Sequence, residues 1–326
     1  MEKTAELPKD DETTEESSLS TLDQHNWDGL PLCLYQGFWC PAILLRPQLS
    51  LRKNIKPHNI ILASLPKTGT TWLKALLFTI VNRDRFPIDQ SPLLTTNPHE
   101  LVLHLESYVD ADLVNPGPGN LPQPEVFSTH LPLHVLPSSM IDSTSKIIYT
   151  SRNPLDQFIS QREFSLKNRL HPDVEPVPID QAFDMFCKGV HPFGPFWDHI
   201  LGYWKASLEN PDRVLFLQYE DMKRDAVSHV RKIAKFLGLP FSEEEENKGL
   251  IGEISDLCSF EKLKNLEINK NGHVHHGFFA NSSFFRKGEI GDWRNHLSPA
   301  MAERMKEVMD VKLSGSGLKL DNYIKS

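Results

Sequence analysis

Five short segments carry side chains able to hold anions or to move a proton. The first, Leu65-Pro66-Lys67-Thr68-Gly69-Thr70-Thr71-Trp72, follows an apolar run and leads into a helical pattern. A loop that opens a helix turns backbone N–H groups and the positive end of the helix dipole towards an anion. Gly69 lets the backbone approach closely, and Lys67, Thr68, Thr70 and Thr71 add donors. The order departs from the Walker pattern, because its first Gly is absent and Lys precedes Gly. An ordinary strand-to-helix turn with Thr caps is the plainer alternative, but four donor side chains around one Gly favour a phosphate cradle.

Arg152 opens a second segment, with Pro154 suited to a first helical position and Ser160 two turns further on. Phe285 to Trp293 contains Arg286, Lys287, Gly288 and Gly291, a second basic, glycine-bearing anion site. Two such sites point to a ligand with anionic groups at both ends. His130 follows Thr129 and is a candidate for proton transfer, although a lone His is more often simply packed or exposed. Pro132 breaks the helix that a zinc-binding pair of His130 and His134 would need. His273, His275 and His276 lack Cys or Glu at metal spacing, so no metal is expected.

Such residues act together only if the chain gathers them. Four apolar runs read as buried strands: Ile60 to Ser64, Val126 to Thr129, Ile147 to Ser151 and Val214 to Gln218. Helical patterns follow three of them, over Thr71 to Val81, Leu155 to Lys167 and Asp221 to Leu237. Buried strands alternating with amphipathic helices predict an α/β fold with a mostly parallel sheet covered on both faces. Just beyond the runs stand Lys67, His130, Arg152 and Tyr219. Ligands of open α/β sheets bind outside the carboxyl ends of the strands, so parallel strands would bring these four to one crevice. Trp197, Ile200, Leu201, Trp204 and Leu208 keep helical spacing and read as core, and Glu243 to Glu246 as a solvated helix start.

The chain has 326 residues, 39% hydrophobic and 24% charged, as a folded domain should. A net charge of -8 argues against nucleic acid as a partner, though not against one bound nucleotide. No apolar run reaches the ~18–20 residues of a membrane span. Residues 1–26 are acid-rich and read as a solvated tail, leaving 27–326 as one domain in the cytosol. Asn115 to Asn120 and His171 to Pro178 read as surface loops. Cys33, Cys40, Cys187 and Cys258 lie too far apart for a zinc site and are too few for a disulfide scaffold, which leaves buried free thiols.

Taken together, the segments resemble the cytosolic sulfotransferases over nearly everything after the tail. The family's P-K-[ST]-G-T-T-W is present as Pro66 to Trp72, T-H-L-P as Thr129 to Pro132, and R-N-P as Arg152 to Pro154. Y-E-D-M stands at Tyr219 to Met222, and R-K-G-x-x-G-D-W at Arg286 to Trp293. Asn97-Pro98-His99-Glu100 is most similar to the plant soluble branch. The resemblance implies an α/β domain with a P-loop-like phosphosulfate-binding loop. Its donor would be 3′-phosphoadenosine 5′-phosphosulfate (PAPS), with sulfuryl transfer to a hydroxyl in line and without a metal. By the same likeness Lys67 to Trp72 hold the 5′-phosphosulfate, with Lys67 stabilising the leaving oxygen. Arg152, Ser160, Arg286, Lys287 and Gly288 hold the 3′-phosphate. Trp72 and Phe260 sandwich the adenine, Tyr219 touches the nucleotide, and His130 is the general base.

Two departures stand out. Many animal members carry Lys two residues before the His, where this chain has Ser128. The animal dimer motif corresponds here to Arg294, Ser298, Pro299 and Glu303, and Pro299 lacks a backbone donor, which favours a monomer. The competing readings are a P-loop-like nucleotide kinase, which needs a strand-end carboxylate for Mg²⁺, and a silent nucleotide-binding protein. Flavonoid, steroid and hydroxylated hormone acceptors all stay open, with Phe38, Trp39, Phe164, Phe278 and Phe279 as candidate lining in loops.

Overall fold

The computed structural model describes residues 23–45, 60–108, 125–137, 140, 144–169, 173–274 and 278–320. The expected loop at 115–120, His275, His276 and most of the acidic tail lie outside the described residues. Three antiparallel strands come first: β1 (Gln24–Trp27), β2 (Leu30–Tyr35) and β3 (Phe38–Pro41). β1 therefore begins inside the segment expected to be tail. Phe38 and Trp39 lie on β3, not in a loop, and both are buried.

The central sheet has five parallel strands in the order β5-β6-β4-β7-β8. They are β4 (Ile60–Ser64), β5 (Leu103–His104), β6 (Val126–Thr129), β7 (Lys146–Ser151) and β8 (Val214–Gln218). Among the described residues the last strands are β9 (His273–Val274) and β10 (Phe279–Ala280), two residues each and paired antiparallel. The four apolar runs form four of the five central strands. β5 is too short to leave an apolar run of its own.

Both faces of the sheet are buried, as the unbroken apolar runs require. Ile61, Ala63, Ile147 and Tyr149 enter one core, and Leu62 and Ile148 enter the other. From β4 the strand order runs outward both ways, to β6 on one side and β7 on the other. That is a topological switch point, where the loop after β4 is open for a ligand.

The helices that matter here are α1 (Thr70–Asn82), α2 (Pro154–Lys167), α3 (Phe196–Glu209), α4 (Tyr219–Arg224) and α5 (Ala226–Phe236). The single helix expected over Asp221 to Leu237 is two. Asp225 leaves the helical region at φ −144° and its carboxylate accepts from Ser228 N at 3.0 Å, capping α5. On α3, Trp197 and Ile200 are buried, but Leu208 is 60% exposed because the apolar stripe ends before the last turn. Glu243–Asn247 is a helix started by a Ser242–Glu245 capping box. All four cysteines are buried.

Candidate active site

The loop after β4 is shaped by one glycine. Gly69 has φ +107° and caps α1, and a Cβ there would lie 2.9 Å from the Tyr219 ring, so both backbone and space require Gly. The Thr68 hydroxyl donates inward, to Leu65 O at 2.8 Å and Thr150 O at 3.1 Å, and the Thr150 hydroxyl returns a bond to Thr68 O. Thr68 thus ties the loop to β7. Thr70 Oγ1 meets Ser64 Oγ at 2.8 Å, and Thr71 Oγ1 meets His99 Nε2 at 2.9 Å.

Lys67 Nζ lies 4.4 Å from the centre of the Phe164 ring and 5.6 Å from that of Phe284. Burial pushes its ammonium down to about 7, and Arg152, Arg286 and Lys167 add repulsion. Four cations gathered here, with only Arg286 among them ion-paired to a carboxylate of the described residues, Asp292, favour a polyanion. Phe164 stands on α2, not in a loop, and Phe278 is 58% exposed.

The second basic pole is held by carboxylates placed behind it. Arg152 is buried, donates to Lys67 O at 3.2 Å and Glu289 O at 2.7 Å, and lies over the Tyr219 ring. Arg286 and Lys287 both donate to Asp292 at 2.5 Å. Burial works against the Asp292 charge, but bonds from Lys287, Asn295 and Arg286 hold its carboxyl well below the usual range. Asp156, in the first turn of α2, accepts from Gly291 N at 2.7 Å and Trp293 N at 3.0 Å, fixing this loop beside Arg152. Gly288 has φ +67° and lies under the Phe260 ring, which a Cβ would meet at 2.7 Å. Its carbonyl accepts from Tyr219 Oη at 3.1 Å.

His130 stands just past β6, and its backbone is pinned from both sides. Its N–H donates to Glu106 Oε1 at 2.7 Å, and its carbonyl accepts from His199 Nε2 at 3.0 Å. Tyr203 Oη donates to Leu131 O at 2.8 Å. His130 Nδ1 lies 2.7 Å from Ser64 O, so the proton sits on Nδ1 and Nε2 keeps its lone pair. Burial and His104 push its pKa well below the ordinary value, so the ring is neutral at physiological pH. The ring packs against His104 and Phe193, with centroids at 4.5 and 5.3 Å.

Lys67, Gly69, Thr70, Thr71, Trp72, His130, Arg152, Ser160, Tyr219, Phe260, Arg286, Lys287 and Gly288 line one pocket. Of the catalytic and nucleotide-binding residues anticipated from sequence only Thr68 is outside this lining, and of the five aromatics anticipated as acceptor lining only Phe164 belongs to it. Sequence reasoning missed the supports: Glu106, His104, His199, Asp156, and Lys74 with His99. The Asn97–Glu100 segment was the one available signal for His99. Among the described residues, Trp72 Nε1, Arg152 Nε and Arg286 Nε are buried without a partner. All three belong to residues that line the pocket, and they suit a ligand rich in acceptors. Among the described residues no group of three or more His, Cys, Asp or Glu is placed to hold a metal.

A family model for the sulfotransferase domain matches residues 57–317. The chain belongs to the sulfotransferase family. It is 45% identical over 331 residues to cytosolic sulfotransferase 15 of Arabidopsis thaliana, covering 97% of this chain and 91% of that one. A flavonol sulfotransferase-like protein of Flaveria bidentis is 42% identical over 309 residues, covering 93% and 99%. Among solved structures, a mouse sulfotransferase complexed with PAP aligns at TM-score 0.66 and 26% identity, over 88% of this chain and 96% of that one. This sulfotransferase thus has the α/β fold expected from its strand pattern. No helix among its described residues is long and apolar enough to cross a membrane.

Proposed function

We propose that this sulfotransferase moves the sulfuryl group of PAPS to a hydroxyl of a small flavonoid-, steroid- or hormone-type acceptor in the cytosol, acting as a monomer. What supports the reading most is the tautomer of His130. With Nδ1–H held by Ser64 O, Nε2 is a neutral base in the pocket that also holds the Lys67 loop. His130 Nε2 takes the acceptor proton as the acceptor oxygen bonds to sulfur and the bond from sulfur to the 5′-phosphate oxygen breaks. Negative charge grows on that phosphate oxygen, where Lys67 and the N–H groups opening α1 stabilise it. Arg152, Ser160, Arg286, Lys287 and Gly288 take the 3′-phosphate. Trp72 and Phe260 flank the adenine, and Tyr219 closes the nucleotide side.

The nucleotide half of this reading predicts that Phe260→Ala and Trp72→Ala each weaken binding of 3′-phosphoadenosine 5′-phosphate (PAP). Stacking on a base is worth about 1–3 kcal/mol, which titration calorimetry resolves. Unchanged affinity in either variant removes that residue from the adenine site.

Chelation separates this chemistry from the kinase alternative. A transferring sulfuryl group carries less charge than a phosphoryl group, so fixed cations suffice. Turnover of PAPS in excess EDTA is expected to match turnover without it. Activity lost to EDTA and restored by Mg²⁺ would refute the assignment.

A further inference from the structure

Lys74 is fully buried on α1, and the chemistry above makes no use of it. Its Nζ lies 2.9 Å from Val102 O and 3.2 Å from His99 Nδ1. An ammonium only donates, so His99 Nδ1 accepts, and a neutral imidazole that accepts there carries its proton on Nε2. That N–H then donates to Thr71 Oγ1, 2.9 Å away. The hydroxyl of Thr71 is left with one proton to place. Among the described residues no acceptor takes it, and Thr71 lines the pocket.

We infer that Lys74 and His99 form a positioning relay that fixes the Thr71 hydroxyl as a donor towards the 5′ end of the bound nucleotide. The inference rests on the nucleotide reading above and adds two residues that do not touch the ligand. The relay has a defined opposite state. A neutral Lys74 amine could accept from His99 Nδ1–H, Nε2 would accept from Thr71, and the Thr71 proton would turn away from the ligand. Burial pushes Lys74 down to about 7 and the Glu106 carboxylate pulls it back up. His99, Glu106, and beyond them His104 and His130, are the titratable groups around it. Phe284 keeps the relay in place, stacked on His99 at 4.0 Å between centroids.

The test compares two probes, PAP and adenosine 3′-phosphate, which lacks the 5′ group. Wild type should prefer PAP. Thr71→Val and Lys74→Met should each reduce that preference by about 10–100-fold, as expected for one hydrogen bond to a charged group. Affinity for adenosine 3′-phosphate should hold in both. The double variant should lose no more than either single one, since all three residues serve one bond. His99→Phe keeps the stack on Phe284 but cannot pass a hydrogen bond, and it should behave like Lys74→Met. It also serves as the measurement if Lys74→Met fails to fold. Wild-type preference kept in a folded Lys74→Met or His99→Phe variant overturns the relay alone, as does an equal loss for both probes. No preference for PAP in wild type overturns the nucleotide reading, and the relay with it.

Discussion

In His130→Ala, sulfuryl transfer is expected to fall by at least ~10²–10⁴-fold, the usual contribution of a positioned general base. An acceptor hydroxyl is a poor nucleophile while it keeps its proton. His130 meets the need because Ser64 O fixes the proton on Nδ1 and burial keeps the ring neutral. Nucleotide affinity should persist, since Arg152 and Arg286 stand at the other pole of the pocket. The sign of the pH dependence follows from the lowered pKa. Falling pH silences the base only once it passes well below the ordinary His range, so turnover should hold through pH 6.5. A graded series of phenols makes the test specific. Acidic phenols arrive partly ionised and should lose less in the variant than weakly acidic ones. An equal loss across the series would leave His130 as a positioning residue.

Lys67→Ala should reduce turnover by roughly 10²–10³-fold, the range for removing one preorganised donor at developing charge. Nucleotide affinity should drop less, because the loop amides and the Arg286 loop remain. In the free protein burial and neighbouring cations lower Lys67 to about 7, so rising pH removes its proton through that range. A bound polyanion favours the charged form. PAP affinity should therefore weaken as pH rises above about 7, and part of that slope should vanish in Lys67→Ala, leaving the share due to Lys74. Turnover within a few-fold of wild type would remove Lys67 from the leaving-group role.

How far the sequence carried depended on what each residue does. The central strands are unbroken apolar runs buried on both faces, and the residues just beyond them stand at one edge because the strands are parallel. Periodicity conveys that much. It does not convey β5, two residues long, nor the antiparallel β1–β3 sheet, whose Phe38 and Trp39 resemble loop aromatics until they are paired. The split at Asp225 was hidden for a similar reason, since a capping carboxylate inside an amphipathic pattern leaves the apolar spacing intact. At the site, residues that point into the pocket sit in local motifs. Their supports do not. Glu106 reaches His130 across 24 positions and Asp156 reaches Gly291 across 135, so neither pairing has a local pattern. Thr68 shows the converse, a motif hydroxyl that faces inward to hold the loop together.

The central claim is that this pocket transfers a sulfuryl group from nucleotide to hydroxyl. The most direct measurement supplies wild type with PAPS radiolabelled at sulfur, together with flavonols, steroids, hydroxylated hormones and simple phenols. Label should appear in an O-sulfate ester of at least one acceptor, with one PAP formed per ester, and the ester should be nearly absent with His130→Ala. PAPS bound with full affinity while its label stays in place with every acceptor would contradict the account and mark the protein as a silent nucleotide binder.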